Sequence, residues 1–231
     1  MKPSENPSHF GHSAIPKFDM LGIAYASGMN LPAGDRQLVQ IMDAALAEAT
    51  RRAGGWLACR PGCTQCCHGA FAINQLDTLR LRSGMEALRA SDPARAATVE
   101  ERAKRWIEEY RGGFPGDPET GRIGESDEDR ERFAEFADDA PCPALDAATG
   151  LCDLYEARPM TCRVFGPPVR VEGADGAEGL GHCELCFAGA TAEQVAACEM
   201  AVPAEMEEAL VAELDAQGAR GETVVAFALL C

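Results

Sequence analysis

The chain has 231 residues, of which 46% are apolar, so it can bury a substantial core without covalent cross-links. Its 37 acidic and 21 basic side chains give a formal charge of −16, which disfavours binding to nucleic acid or to an anionic membrane surface. No run of 18 apolar residues is present, and residues 1–7 lack the apolar stretch of a secretory signal, so we expect a cytoplasmic protein that spans no membrane.

The first part of the chain is predicted to hold an arm and two helices. Residues 1–32 mix Pro, Ser, Asn, Gly and His without periodicity, which predicts a flexible N-terminal arm before a single domain over residues 33–231. Apolar residues at helical spacing predict a helix over residues 35–53, ended by a pair of glycines. The same spacing returns over residues 74–90, where Gly84 is a candidate break.

Four further helices are predicted in the rest of the chain. One covers residues 92–111, because it opens with an Asp-Pro pair that suits a cap followed by the first helical position. The acidic stretch 125–139 predicts a short solvated helix. A capping box at residues 191–194 opens a helix that runs through Cys198, and residues 203–217 carry the last one.

Extended structure is predicted at only two places. Residues 169–171 are one arm of a short hairpin whose tip is residues 173–176. The apolar, β-prone tail at residues 223–230 is either a closing strand or a buried segment. These elements predict a mostly α fold: a small helical domain with irregular, cysteine-rich metal-binding loops and one short hairpin.

Nine of the eleven cysteines lie between positions 59 and 186, and their spacing is the most informative feature of the sequence. They form three blocks: Cys59, Cys63, Cys66 and Cys67 in the first, Cys142, Cys152 and Cys162 in the second, and Cys183 and Cys186 in the third. We interpret all nine as metal ligands, because thiols stay reduced in the cytoplasm and disulfides are not expected there. The other two, Cys198 and Cys231, we interpret as small buried hydrophobic residues.

The chemistry of clustered thiolates narrows the choice of metal. Soft sulfur ligands with few imidazoles select zinc, cuprous copper or iron–sulfur centres over magnesium or calcium. Nine thiols exceed the four of one tetrahedral site, so two mononuclear sites, a cluster plus a zinc, or one site with spare thiols are all compatible. The expected partner and cofactor is zinc or iron, bound as single ions or as an iron–sulfur cluster. Cys66 and Cys67 are neighbours whose side chains should point apart, so we expect one of them to ligate the main site and the other to reach a second site or an adjacent packed pocket.

Three stretches of the sequence together resemble a known family. They are Cys63-Thr64-Gln65-Cys66-Cys67 after Cys59, Pro141-Cys142-Pro143-Ala144-Leu145, and Cys152-Asp153-Leu154-Tyr155-Glu156-Ala157-Arg158-Pro159-Met160-Thr161-Cys162-Arg163-Val164-Phe165. Over about residues 55–168 they are similar to the bacterial and archaeal cysteine-cluster family often called YkgJ-like, described as chelating zinc or iron. Its distant relatives include flagellin lysine N-methylases. The first spacing here has three intervening residues, where the family usually has two.

The resemblance implies metal chelation, and the methylase relatives imply S-adenosylmethionine and an iron–sulfur cluster. We therefore expect a zinc- or iron-chelating protein, with an iron–sulfur-dependent enzyme, methyl-transferring or redox, as the alternative. The glycine-rich residues 173–181 lack the strand and helix of a dinucleotide-binding loop, and no P-loop or nucleophile–base pair accompanies the cysteines. Catalytic residues therefore stay unassigned.

Several residues beside the cysteines have predicted supporting roles. A four-thiolate site on a divalent ion is net negative, so nearby arginines are candidate donors to it. They are Arg60, Arg158 and Arg163. His68 and His182 adjoin cysteines and are candidate additional ligands, whereas His9 and His12 lie in the arm, which is a poor scaffold for a ligand. Tyr155 is interpreted as core packing.

The cysteine blocks are expected to meet in space. Ligand sulfurs of one tetrahedral zinc lie within about 4 Å of each other, so sulfurs of the 59–67 run should lie near those of Cys152 and Cys162. The alternative is a zinc-ribbon-like pairing of Cys63-x2-Cys66 with Cys183-x2-Cys186. In the first arrangement the last pair supplies a second site.

Overall fold

A computed structural model describes residues 29–172 and 178–230 of the chain. Across these residues the α-helices are α1 Asp35–Ala53, α2 Gln75–Ser91, α3 Pro93–Tyr110, α4 Asp127–Ala134, α5 Met160–Val164, α6 Ala192–Ala196, α7 Ala204–Ala216 and α8 Val225–Ala228. Three antiparallel hairpins pair β1 Gly116–Asp117 with β2 Arg122–Ile123, β3 Leu145–Asp146 with β4 Leu151–Cys152, and β5 Val169–Glu172 with β6 Glu178–Gly181. The mostly α fold class is confirmed.

Some of the expectations fall outside these ranges. The predicted hairpin tip at residues 173–176, the thiol of Cys231, and the arm up to residue 28 with its two histidines lie beyond the described residues. Within them, Met29 and Leu31 already pack against the apolar core. No helix of the described part of the chain is both long and apolar enough to cross a lipid bilayer.

The two longest predicted helices begin and end close to their expected residues. α1 has the predicted bounds and ends at Gly54, whose φ of 51° suits the residue without a side chain. α3 begins after Asp92, whose carboxylate accepts a hydrogen bond from the Arg95 N–H, with Pro93 in the first helical turn. Local capping chemistry therefore explains both ends that the sequence predicted.

α2 is where the predicted helix break is wrong. The helix runs through Gly84 without interruption. A Cβ at this position would lie only 2.4 Å from the Cβ of Ala157, which belongs to the 3-10 helix Tyr155–Ala157. Glycine at residue 84 therefore allows a close approach of the chain that leads from Cys152 to Cys162, and it does not end the helix.

The apolar core surrounds α2, which packs against α3, α7 and α8. Leu38 and Met42 of α1, Leu76 of α2 and Leu214 of α7 are fully buried in one part of it. Burying each such side chain contributes about 1.5–3 kcal/mol to stability. These helices bury much of their apolar surface against one another, and residues of the cysteine loops, Ala144 and Leu154 among them, complete the core.

A buried group of charges connects this framework to the cysteine loops. The Arg80 guanidinium donates from Nε to Asp35 at 2.6 Å and from Nη1 to Asp77 at 2.5 Å. The same carboxylate of Asp77 accepts a 2.9 Å hydrogen bond from the Met160 N–H, the first residue of α5. Since α5 carries Cys162, Asp77 fixes the start of that helix on the core.

The tail at residues 223–230 forms a buried segment, one of the two predicted alternatives. Thr223 makes an isolated antiparallel bridge with Ile73, after which α8 follows in place of a strand. Phe227 of α8 lies in an aromatic cluster with Phe114, whose ring centroid is 5.2 Å away. The tail thus closes the core beside α2 and α3.

Candidate metal centre

The structure brings the nine cysteines between positions 59 and 186 into two groups. The Cys59 group comprises Cys59, Cys63, Cys183 and Cys186. The Cys66 group comprises Cys66, Cys67, Cys142, Cys152 and Cys162. The 59–67 run is therefore shared between the groups. This division agrees in part with each of the two pairings that the sequence allowed, and with neither of them completely.

Backbone contacts hold the Cys59 group together. The Ala58 N–H donates to the Cys186 Sγ at 3.4 Å, and the Cys183 N–H donates to the Gly166 carbonyl oxygen at 3.2 Å. A Cβ at Gly166 would lie 2.8 Å from the Cys59 Sγ, so this sulfur rests on the bare Cα of a glycine with a φ of 123°. Glycine is needed at residue 166 because the sulfur occupies the space of a side chain.

The thiols of the Cys59 group act on one another. The pKa of Cys59 is raised to about 12, chiefly by burial and then by the neighbouring thiols of Cys186, Cys63 and Cys183. Burial likewise raises the pKa of Cys183, and Cys186 and Cys63 add to the effect. These four thiols therefore repel each other's charge, and a bound cation would relieve that repulsion.

In the Cys66 group, the neighbouring cysteines lie side by side. Their Sγ atoms are 4.0 Å apart on the 3-10 helix Gln65–Cys67, and the Cys142 N–H donates to the Cys67 carbonyl oxygen at 2.8 Å. The expectation that the two side chains would point apart is wrong, because the tight turn of this helix keeps both sulfurs on one side. This closeness favours a single site for both, and the ligand role of each stays a prediction. Zinc–sulfur bonds of about 2.3 Å place the sulfurs of a tetrahedral site about 3.8 Å apart, so this pair already has a suitable separation.

The remaining thiols of the Cys66 group come from the second cysteine block. Cys152 lies on β4 opposite Leu145, and Cys162 lies on α5. Burial raises the pKa of Cys162, and the thiols of Cys142, Cys66 and Cys152 raise it further. Cys66 thus lies close to both Cys152 and Cys162, as expected, and Cys67 lies close to Cys152. Cys59 and Cys63 belong to the other group.

Backbone amides donate to sulfurs in both groups. Burial raises the pKa of three cysteine thiols, and in each of them a hydrogen bond from the N–H of the residue two positions later opposes that rise. The pairs are Cys142 with Ala144, Cys152 with Leu154, and Cys183 with Leu185. Amides that point at a thiolate stabilise its negative charge, which is how short loops are prepared for a metal ion.

Arg158 and Arg163 organise the loop that carries the Cys66 group. Both guanidinium groups pair with Asp43, from Arg158 at 3.3 Å and from Arg163 at 2.6 Å. Arg163 is fully buried and also donates to the Glu156 carbonyl oxygen at 2.6 Å. Hydrogen bonding with Cys67, together with the positive charge of Arg158, lowers the pKa of Cys66 to about 6. Arg158 therefore acts on a sulfur through its charge, whereas Arg163 holds the backbone.

Other candidate residues have different surroundings from those expected. Arg60 is exposed and reaches the Ala58 carbonyl oxygen at 3.4 Å. The interpretation of Tyr155 as core packing is wrong, because its side chain is 56% exposed and the Arg158 guanidinium covers its ring at 3.9 Å. A cation above the ring explains why an aromatic residue lies at the surface here.

The two candidate histidines and Cys198 lie beside the cysteine groups. The His68 Nδ1 is 3.0 Å from the Thr64 carbonyl oxygen, and the His182 Nδ1 is 3.0 Å from the Cys183 carbonyl oxygen. Each imidazole is thus engaged with the backbone of a cysteine loop. Cys198 is buried in an apolar cluster with Phe187, in agreement with its interpretation as a small hydrophobic residue.

Two acidic residues that support the site escaped the sequence analysis. Asp43 holds both arginines of the Cys66 group, and Asp77 fixes α5. Burial raises the pKa of Asp77 to about 6, and the Arg80 guanidinium and the Met160 N–H oppose that shift. Asp43 looked like an ordinary acid on a helix surface, and the only available signal was the presence of two arginines without a sequence-local partner.

The donor set fits a thiophilic metal ion, although the side chains do not yet surround one point. In the described residues no three His, Cys, Asp or Glu side chains are arranged so that they could hold a metal ion as they stand. All ten described cysteines are free thiols, and each group supplies at least the four sulfurs of a tetrahedral site. Sulfur-only ligation of this kind suits zinc or iron.

Comparison with known proteins agrees with this donor chemistry. The profile of the CxxCxxCC family, described as a "putative zinc- or iron-chelating domain", matches residues 58–173, which is half of the chain. The chain therefore belongs to this family. Comparison with curated proteins and with solved structures found no similar protein.

Proposed function

We propose that this protein binds zinc or iron through the thiolates of its two cysteine groups, and that it does so in the cytoplasm. The observation that carries the proposal is the convergence of thiols from distant loops, in a chain that belongs to a family of metal-chelating domains. The metal ligands would be Cys59, Cys63, Cys66, Cys67, Cys142, Cys152, Cys162, Cys183 and Cys186. Free thiols are typical of a reducing compartment, which supports the cytoplasmic location.

The protein's own residues would prepare the Cys66 group for a cation. The N–H groups of Ala144 and Leu154 partly offset the cost that burial imposes on the thiolates of Cys142 and Cys152, and the charge of Arg158 favours the thiolate of Cys66. A bound zinc ion would supply strong sulfur bonds, and iron would supply redox chemistry in addition. Arg163 pairs with Asp43 and donates to the Glu156 carbonyl oxygen, and these two contacts keep the loop in place.

An iron–sulfur cluster in the Cys66 group is the second form that this proposal allows. Such clusters bind four cysteine thiolates, and the group has five together with the nearby cation of Arg158. This form would agree with the resemblance to YkgJ-like proteins and, more distantly, to flagellin lysine N-methylases. Brown protein after anaerobic purification, bleached by a reductant, would identify the cluster, whereas colourless protein containing zinc would identify the mononuclear form.

The test is metal analysis of purified protein with matched cysteine variants. We expect Cys162→Ser to lower the metal content and to make the loop over residues 141–166 sensitive to protease, because ligand bonds offset the cost of ordering it. Cys198→Ser is the control, since this thiol is buried outside both groups. Equal metal content in the two variants, or wild-type protein that neither contains nor takes up zinc or iron, would contradict the proposal.

A further inference from the structure

Two of the converging cysteines lie outside the part of the chain that the family accounts for. The family match ends at residue 173, whereas Cys183 and Cys186 come after it. Their backbone is nonetheless placed against the first cysteine loop, since the Phe187 N–H donates to the Trp56 carbonyl oxygen at 2.8 Å. The Ala58 N–H reaches the Cys186 Sγ itself at 3.4 Å. A segment beyond the family domain is thus attached next to its first cysteines.

Resting on the metal-chelating function proposed above, we propose that the Cys59 group is a second metal site, separate from the Cys66 group, which binds one thiophilic divalent ion such as zinc. Its ligands are two cysteines of the family domain and two beyond it: Cys59, Cys63, Cys183 and Cys186. Four thiolates complete a tetrahedral coordination shell, which is the usual composition of a structural zinc site.

Two successive turns, one that ends at Cys63 and one at Gln65–Cys67, explain why one run of cysteines serves two sites. Cys63 is placed by a 2.9 Å hydrogen bond from its N–H to the Arg60 carbonyl oxygen, which closes a tight turn. The 3-10 helix Gln65–Cys67 follows at once and is tied to the second block by the bond between the Cys67 carbonyl oxygen and the Cys142 N–H. The chain therefore changes direction between Cys63 and Cys66, and the sulfurs on either side of this point join different groups.

The surroundings of Cys183 and Cys186 suit a structural type of site, whereas Cys59 is exposed and Cys63 is half-buried. Cys183 and Cys186 are buried in an apolar cluster with Ala53 and Phe187. Besides burial, other thiols and a backbone amide shift the pKa values of Cys59 and Cys183. In the Cys66 group, the positive charges of Arg158 and Arg102 lie close to the thiols as well. The N–H groups of Ala58 and Leu185 donate to sulfurs of this group. They can stabilise the negative charge of a zinc tetrathiolate without a nearby cationic side chain.

The first experiment counts zinc in reconstituted protein. Metal-free wild type is loaded with zinc, freed of excess, and compared with two double variants, Cys183→Ser/Cys186→Ser and Cys142→Ser/Cys162→Ser. We expect the first variant to lose one zinc per chain relative to wild type and the second to keep that zinc. Cys198→Ser, from the same apolar cluster as Cys183 and Cys186, should bind as much zinc as wild type.

The outcomes separate this inference from the function on which it rests. If Cys183→Ser/Cys186→Ser keeps the full wild-type zinc while the other double variant loses it, the second site is wrong and metal chelation stands. If each of the two double variants loses the only zinc that the wild type binds, the division into two sites is wrong. Wild type that takes up no metal would overturn both.

A second variant guards against simple misfolding of the first. Cys186→His keeps a zinc-binding side chain, so it should retain metal while changing the ligands from four sulfurs to three sulfurs and one nitrogen. With cobalt(II) as a spectroscopic probe, we expect full occupancy, a weaker sulfur-to-metal charge-transfer band, and visible bands at shorter wavelength than in wild type. A cobalt spectrum identical to that of the wild type would show that Cys186 is no ligand.

Discussion

The Cys59 group lies in an apolar setting beside Phe187 and Ala53, whereas the Cys66 group lies beside the charged side chains of Arg158 and Arg102. Both face the same problem, because several thiolates on one divalent ion leave an excess of negative charge. In the Cys59 group only backbone amides offset that charge, whereas the Cys66 group adds arginines that are themselves anchored by Asp43. The comparison shows that a single cysteine run can supply two sites whose metals need not be the same.

The largest expected effect is the pH dependence of zinc binding. Burial raises the pKa of Cys59 and of Cys142 to about 12, so both thiols carry protons at pH 7 and must release them to bind a metal. The affinity should therefore fall as the pH falls, by about tenfold per pH unit for each proton released. Isothermal titration at pH 6 and pH 8 measures this dependence, and a pH-indicator dye in weak buffer counts the protons.

The same measurement can distinguish the two groups. The pKa of Cys66, lowered to about 6 by hydrogen bonding with Cys67 and by Arg158, leaves this thiol ionised at pH 7. A variant that retains only the Cys59 group should accordingly release more protons per zinc than one that retains only the Cys66 group. Equal proton release by the two variants would contradict this difference between the groups. An affinity that is unchanged between pH 6 and pH 8 would contradict the predicted release of protons on binding.

Next in size is the loss of stability in Asp77→Ala. The substitution leaves a buried Arg80 guanidinium short of one partner and the Met160 N–H unpaired, so we expect the free energy of unfolding to fall by about 3 kcal/mol. Urea unfolding of the metal-free protein measures the change. Metal binding by the Cys66 group should weaken as well, because α5 carries Cys162.

The control for this variant is Asp77→Asn, which can still accept one hydrogen bond. It should lose less stability than Asp77→Ala. If both variants unfold at the same urea concentration as wild type, the buried charges do not hold α5 on the core.

A glycine substitution should affect the Cys59 group alone. In Gly166→Ala the new methyl group would lie 2.8 Å from the Cys59 Sγ, and the sulfur must move. We expect cobalt affinity at this group to fall by about ten- to a hundredfold, which corresponds to roughly 1.4–2.8 kcal/mol. Competition with a chromophoric chelator in the Cys142→Ser/Cys162→Ser background measures it.

Gly189→Ala is the matched control for backbone strain. Gly189 also has a positive φ, of 79°, but a Cβ there meets nothing within 4 Å. Its cobalt affinity should stay close to that of the wild type. Similar losses in the two glycine variants would attribute the effect to the backbone, and the sulfur contact at Gly166 would then have no special role.

The smallest expected effect comes from Asp43→Asn, which acts on the Cys66 group. Asp43 is 42% exposed, so solvent screens its pairs with Arg158 and Arg163, and we expect a loss of about 1 kcal/mol in metal binding. Glu48→Gln, on the same helix and paired with the exposed Arg51, should have no effect. Zinc competition titrations measure the affinity of the two variants. An equally large loss of affinity in Glu48→Gln would show that the change in net charge, and not the pairing of Asp43 with the arginines, causes the effect.

Much of the helical framework could be predicted from the sequence. α1 was found at the predicted residues 35–53, and α3 begins after Asp92 as its cap requires. Such elements follow from local periodicity and capping, which are properties of neighbouring residues. The role of Gly84 could not be predicted in this way, because the residue it approaches, Ala157, is distant in the sequence.

The candidate site was predictable in composition and only partly in arrangement. Cysteine spacing selected the nine thiols, but it does not specify where each Sγ points, so the division between Cys63 and Cys66 was not foreseen. The contact of the Cys59 Sγ with Gly166 and the pairing of Asp43 with two arginines depend on tertiary packing. That the nine thiols are metal ligands stays a prediction until metal is measured.

The long sequence separation within each group has a consequence for biosynthesis. Cys186 follows Cys59 by more than half of the chain length, and Cys162 follows Cys66 by a similarly long interval. Because residues leave the ribosome in order, α1, α2 and α3 can pack together before either group has all of its thiols. A nascent chain would thus present at least one incomplete set of sulfurs from the synthesis of Cys59 until that of Cys186. Delivery of metal to the Cys66 group is therefore expected to follow translation of Cys162, and delivery to the Cys59 group to follow translation of Cys186. The early thiols need a reducing environment until then.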